Sequence, residues 1–227
     1  MRSVLIAGAG GATGLELCRA FKQRGWRTIG TGRDRTRLAR ELGDAVDEVV
    51  EVELTSIDSV RAALGPLTGV EALVYNAGRL DLAPLLETDP LTFEASWKTN
   101  AFGAFLCAHT LAASMVQARR GSMIFLGATA SVKGSPRGHA FASSKHALRG
   151  LCSSLAKELG PQGVHVAHLV VDGKIWGERT RQRFPTSREE ECLTPAAVAA
   201  TVCMVIDQPR AAWTFELDLR PDVERWS

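Results

Sequence analysis

Short apolar runs alternate with helix-patterned stretches along this chain, and that alternation constrains the fold more than any other feature. The runs fall at 4–7, 28–31, 48–52, 72–75, 123–126, 164–171 and 214–217. Between them, helical spacing of apolar residues covers 14–23, 35–42, 59–64, 91–117, 140–159 and 196–206. Strands that alternate with helices belong to a parallel sheet with helices on both faces. Parallel crossovers are right-handed, so the expected fold is α/β, a doubly wound parallel sheet of about seven strands. A single unit over residues 1–227 is expected, because no repeat, linker or low-complexity tract breaks the pattern. The most irregular stretch, 173–193, is polar and charged and contains Pro185. It reads as a substrate lid, or equally as a solvated loop with a short helix.

Composition narrows the function classes. A chain of 227 residues, 45% of them hydrophobic, can bury one full core. A net charge of +2 gives no basis for a nucleic-acid or anionic-membrane partner. The cysteines Cys18, Cys107, Cys152, Cys192 and Cys203 form no CxxC pair and no metal-ligand spacing, so reduced thiols, a cytoplasmic location and no metal are expected. Strand-like sequence begins almost at Met1, which leaves no room for a signal peptide, and no apolar run is long enough to span a bilayer.

The first strand runs directly into Ala7-Gly8-Ala9-Gly10-Gly11-Ala12-Thr13-Gly14 and then into a helix. Glycines allow a sharp turn and a close approach of backbone to a diphosphate. The helix N-terminus that follows supplies free N–H groups and a positive dipole end. A glycine-rich turn alone is a weak signal, but its place between strand and helix makes it a dinucleotide site candidate.

With these landmarks in order, the chain resembles the short-chain dehydrogenase/reductase family over nearly its whole length. The family's TGxxxGxG turn falls on Ala7 to Gly14, with Gly8 and Gly14 matching; Gly10, Gly11 and Thr13 complete the expected cofactor turn. The NNAG motif appears as Tyr75-Asn76-Ala77-Gly78, the fourth-helix asparagine as Asn100, and the YxxxK lysine as Lys145. Glu53, with Leu54, aligns beside the adenine, and Asp172-Gly173 weakly echoes the Pro-Gly after the sixth strand. The resemblance implies a Rossmann-like sheet, NAD(P)-dependent chemistry on a small-molecule carbonyl or alcohol, and a homodimer or homotetramer paired through the fourth and fifth helices.

Two family positions are occupied by other residues. The tyrosine of YxxxK is replaced in Phe141-Ala142-Ser143-Ser144-Lys145, and the serine slot falls on Ala128. In the family the tyrosine exchanges a proton with the carbonyl oxygen and the serine hydrogen-bonds it. The lysine binds the nicotinamide ribose and lowers the tyrosine pKa through its charge, and the asparagine supports a water-linked relay. Phenylalanine has no proton to give, and general acid catalysis is typically worth ~10²–10⁴ in rate. Candidates for replacement are His139, whose unperturbed pKa suits neutral pH, and Thr129, which adjoins the serine slot. Tyr75 reads as packing beside the cofactor. The other histidines form no ligand set.

Cofactor choice is expected at Thr31-Gly32-Arg33-Asp34. An acidic residue at the strand end favours NAD, and in family register that place is Gly32. Arg33 next to it suits the 2′-phosphate of NADP. Asp34 keeps NAD open. Three readings follow: an NADP-dependent oxidoreductase with a nonstandard proton donor, a cofactor-binding protein without redox turnover, and a non-redox isomerase or cyclase reusing the pocket.

Overall fold

Seven strands form one parallel sheet in the order β3-β2-β1-β4-β5-β6-β7. The strands are β1 (Ser3–Ala7), β2 (Arg27–Gly32), β3 (Glu48–Glu51), β4 (Val70–Tyr75), β5 (Gly121–Leu126), β6 (Val164–Val171) and β7 (Glu216–Leu219) in a computed structural model that describes residues 1–224. Every adjacent pair is parallel. The helices are α1 (Ala12–Gln23), α2 (Arg35–Leu42), α3 (Ile57–Leu64), α4 (Pro90–Trp97), α5 (Gly103–Gln117), α6 (His139–Leu159), α7 (Glu178–Arg183) and α8 (Pro195–Ile206). The chain winds outward from β1 to β3, then returns to lay β4 on the other side of β1. That reversal opens a crevice at the carboxyl ends of β1 and β4, where ligands of open α/β sheets bind.

The strands sit between two cores, so their side chains are sorted by parity. Val4 and Ile6 of β1 face the core shared with Leu17 and Phe21 of α1 and Val198 and Val202 of α8. Leu5 and Ala7 face the opposite core, with Val60 of α3, Leu111 of α5 and Leu148 of α6. Burial on both faces is why the strands read as continuous apolar runs rather than as polar–apolar alternation.

Two elements differ from the sequence expectation. The last strand lies two residues further on, at Glu216–Leu219, paired with His168–Val171 of β6. The stretch 91–117 is not one α-helix: α4 and α5 are joined through a π-turn at Lys98–Phe102. Such widened turns insert one residue and occur often at functional sites. Here it carries Asn100, and the Tyr75 hydroxyl donates to the Thr99 carbonyl inside it at 2.6 Å. Tyr75 is fully buried, and burial holds its phenol well above the usual range, so it packs in the core as a neutral group. Among the described residues no helix is long and apolar enough to cross a membrane.

Candidate functional site

The crevice at the switch point is a cleft of about 480 Å³. Gly8 and Gly10 line it from the turn after β1, Thr31 to Asp34 from the end of β2, Val52 to Thr55 beyond β3, and Asn76 to Gly78 after β4. The glycines here answer to close approaches. A Cβ on Gly8, whose φ is 78°, would lie 2.7 Å from the Ala77 Cα, so only glycine lets the β1 and β4 turns meet. A Cβ on Gly14 would lie 2.0 Å from the Ala9 carbonyl oxygen, which fixes how closely α1 follows the turn. Asn76 binds the two turns together: its side-chain amide donates to the Gly8 carbonyl at 2.7 Å. The Gly11 N–H donates to the Glu41 carboxylate of α2.

Arg33 and Arg37 face the cleft on the β2 side. Asp34 is the N-cap of α2: its carboxylate accepts from the Arg37 N–H at 2.9 Å. That interaction gives Asp34 a structural role at the start of α2 while it lines the cleft. Glu53 and Leu54 line the cleft as expected, with the Glu53 carboxylate accepting from the Thr55 N–H at 3.1 Å. Thr55, Arg79, Asp81, Thr99 and Arg179 also line it, although the sequence pattern gave no sign of them.

Lys145 and Asn100 meet beside Gly78. A Cβ on Gly78 would lie 3.6 Å from Asn100 Oδ1 and 3.9 Å from Lys145 Nζ. Lys145 Nζ donates to the Leu126 carbonyl at 2.7 Å, at the end of β5. Burial, which disfavours the charged form, pushes its pKa down to about 8. The Asn100 amide is used up on protein partners. It donates to the Arg79 carbonyl at 2.9 Å and to Ser144 Oγ at 2.8 Å, while its oxygen accepts from the Arg79 N–H at 2.8 Å. Asn100 thus ties the Gly78–Arg79 turn to α6. Ser144, one residue before Lys145, is the residue that receives it. The Phe141 ring lies on the same face of α6 as Lys145, with its centroid 5.8 Å from Nζ.

The replacement donors proposed from sequence are engaged otherwise. His139, at the first turn of α6, turns away to Thr88, with Nε2 2.7 Å from the threonine Oγ1. It lines a separate cavity of about 220 Å³ and not the main cleft. The Thr129 hydroxyl donates to the Asp172 carboxylate, which also pairs with Arg220 at 3.2 Å. Asp172 and Gly173 therefore brace the loop after β5 and the chain end, and neither lines the cleft. Gly11, Thr13 and Gly14 shape the turn from behind it.

A buried polar chain runs behind Ala128. The Ala128 N–H donates to Ser131 Oγ at 3.1 Å, Ser131 Oγ lies 3.2 Å from His168 Nε2, and His168 Nδ1 lies 3.0 Å from Glu216 Oε2. Arg149 closes it with bonds of 2.6 and 2.8 Å to Glu216. Burial pushes the His168 pKa down to about 4 against the pull of Glu216, so the ring is neutral near pH 7. The order resembles a nucleophilic triad, but Ser131 and His168 are wholly enclosed. A hydroxyl sealed from substrate attacks nothing; the chain fixes the Ala128 loop.

Comparison with known proteins agrees with this geometry. Residues 2–175 match the family described as short chain dehydrogenase. The chain is 33% identical over 170 residues to the short-chain dehydrogenase/reductase eriH of Hericium erinaceus, covering 70% of this chain and 65% of that protein. It is 32% identical over 169 residues to the galactitol 2-dehydrogenase (L-tagatose-forming) of Cereibacter sphaeroides, covering 71% and 66%. The matched stretch thus spans just under two thirds of either relative's length. Among solved structures, a short-chain dehydrogenase from Rhodopseudomonas palustris superposes with a TM-score of 0.81 at 30% identity, over 97% of this chain and 98% of that one. The match of 2–175, and the meeting of the glycine turn with the lysine-bearing helix at one switch point, make this chain a member of the short-chain dehydrogenase family of oxidoreductases.

Proposed function

We propose that this chain is an NADP-dependent oxidoreductase acting on a small carbonyl or alcohol, with a nonstandard proton-donating apparatus. The observation that carries this reading is the convergence of Lys145 and Asn100, both buried, behind Gly78, which itself lines the cleft. The residues present fit that cofactor: the Gly8 turn would take the diphosphate, Glu53 and Leu54 would bound the adenine end, and Lys145, buried behind Gly78, would hold the nicotinamide ribose. The bound nicotinamide would supply or accept the hydride. The chain's own work is to orient it and to manage the proton at the carbonyl oxygen.

Phe141 takes the place of the tyrosine and Ala128 that of the serine. The oxygen is therefore left without its two usual partners, and Lys145, with Nζ 5.8 Å from the Phe141 ring centroid, is the titratable group on that face of α6. Its single bond to Leu126 leaves two N–H donors available.

Arg33 is the residue proposed to select the phosphorylated cofactor, because a guanidinium matches a phosphate bidentately. Removing a hydrogen bond to a charged group costs about 1.5–3 kcal/mol. Arg33→Ala is thus expected to weaken NADPH binding by roughly tenfold to a hundredfold while leaving NADH almost unchanged. Fluorescence titration of both proteins with both cofactors measures this. Equal affinity for the two cofactors in wild type and variant would remove Arg33 from the selection.

A homo-oligomer is proposed through the 140–159 helix, α6, and the 91–117 run, which is α4 and α5. An aromatic ladder, Trp97 on Phe102 at 5.7 Å and Phe102 on Phe105 at 6.3 Å, runs along them. Trp97 and Phe105 remain about 40% exposed, a poor surface for water (42% and 41%). Light scattering should show at least a dimer at micromolar concentration, and Phe105→Glu should shift it toward monomer. A wild-type monomer would refute the assembly.

A further inference from the structure

We propose that Arg179, on the short helix α7, is a cofactor-positioning residue that grips the diphosphate of the dinucleotide. This rests on the dinucleotide reading above and adds to it a residue from outside the glycine turn.

Its placement follows from backbone contacts. A Cβ on Gly177 would lie 3.3 Å from the Ala12 Cβ, so the chain entering α7 rests on the first residue of α1. Arg179, two residues on, lines the same cleft as Gly8 and Gly10. The base of the segment is pinned: Leu193 N–H donates to Lys174 O and Trp176 N–H to Leu193 O, both at 2.8 Å, and Thr180 Oγ1 donates to Ile175 O. The side chain is therefore carried on a tied loop seated at the start of α1.

Charge bookkeeping in the cleft points to the same ligand. Arg79 is paired with Asp81 at 2.5 Å, Asp34 caps α2, and Glu53 accepts from Thr55. Arg33, Arg37 and Arg179 line the cleft without a carboxylate partner among the described residues. On α7 itself, Arg181 is spoken for by Glu178 at 2.5 Å. Arg33 and Arg37 stand together beyond β2, where a phosphate on the adenosine ribose belongs. Arg179 stands over α1, where the diphosphate belongs. The glycine turn alone is short of positive charge there, because its Gly11 N–H is already given to the Glu41 carboxylate. A guanidinium from α7 offsets that carboxylate and binds two phosphate oxygens at once.

The test separates the two arginine groups by the phosphates they serve. Wild type, Arg179→Ala, Arg179→Lys and Arg33→Ala are titrated with NADPH, NADH and ADP-ribose. Arg179→Ala should weaken all three by a common factor of roughly ten to a hundred, leaving the NADPH-to-NADH ratio unchanged. Arg33→Ala should change that ratio and spare ADP-ribose. Arg179→Lys should recover part of the loss, as a point charge without the planar fork. Unchanged affinity in Arg179→Ala, or a loss confined to NADPH, would overturn the role of Arg179. If wild type itself binds none of the three, the dinucleotide reading falls first and takes this one with it.

Discussion

Ala128→Ser combined with Phe141→Tyr is expected to raise NADPH-dependent carbonyl reduction by up to ~10²–10⁴ over wild type. Phenylalanine cannot donate a proton and alanine cannot hold the substrate oxygen, so the double change restores both hydroxyls. Both positions are only partly buried, so neither added oxygen has to displace a packed core. The supporting parts are in place: Lys145 lies on the Phe141 face of α6, 5.8 Å from the ring centroid, and its charge would lower the pKa of a tyrosine there. Steady-state rates on a panel of ketones and aldehydes measure the gain, and Lys145→Ala in the double background should abolish it. Efficient reduction by wild type would mean that another donor is at work. A double variant that binds NADPH yet stays inactive would count against carbonyls as substrates.

Lys145→Met should stabilise the protein near neutral pH even as it removes the ribose contact. Burial moves the lysine pKa from 10.5 down to about 8, which at ~1.4 kcal/mol per tenfold change in proton affinity costs about 3 kcal/mol while the group is charged. Methionine keeps the apolar stem and sheds the charge, but it leaves the Leu126 carbonyl without its donor, a loss of about 1–3 kcal/mol. A net gain of up to about 2 kcal/mol remains at pH 7. The pH dependence carries the signature. Below about pH 8 the lysine is protonated in both folded and unfolded chains and contributes no slope. Between 8 and 10.5 the unfolded chain binds the extra proton, so wild-type stability rises with pH. The advantage of the methionine variant should therefore shrink through that window. Urea unfolding at pH 7 and at pH 9.5 measures it; a gap that stays constant or widens would show that the ammonium is not held at a cost.

The sheet, the glycine turn and the lysine helix were legible in the sequence because each is local: a periodicity, a turn flanked by strand and helix, a four-residue spacing. What the sequence hid depends on distant parts of the chain meeting. From sequence Asp34 reads only as a possible ribose ligand, and the position of the Arg37 N–H shows that it also caps α2. Ser144 became the partner of Asn100 because α6 packs against the π-turn, a contact across 44 residues that no pattern announces. His139 looked well placed for acid–base work from its nearness to Phe141, yet its ring follows the first turn of α6 toward Thr88. Arg179 entered the cleft through the seating of Gly177 on Ala12. The break in the 91–117 helix was invisible for another reason. Apolar spacing reads alike on both sides of the π-turn, and one inserted residue changes the phase of the second half without changing its pattern.

That inserted residue has a consequence for how the chain tolerates changes in length. Most single-residue deletions within a helix rotate everything downstream by about 100° and tear side chains from their partners. At Lys98–Phe102 the widened turn already holds one residue more than a regular helix needs. A deletion there would close the ladder into an unbroken α-helix and let α5 keep its seat against the sheet. What would be lost is the inward aim of Asn100. The π-turn is thus a removable spacer, the one stretch of this long helical run where the chain could be shortened at the expense of the site and not of the fold.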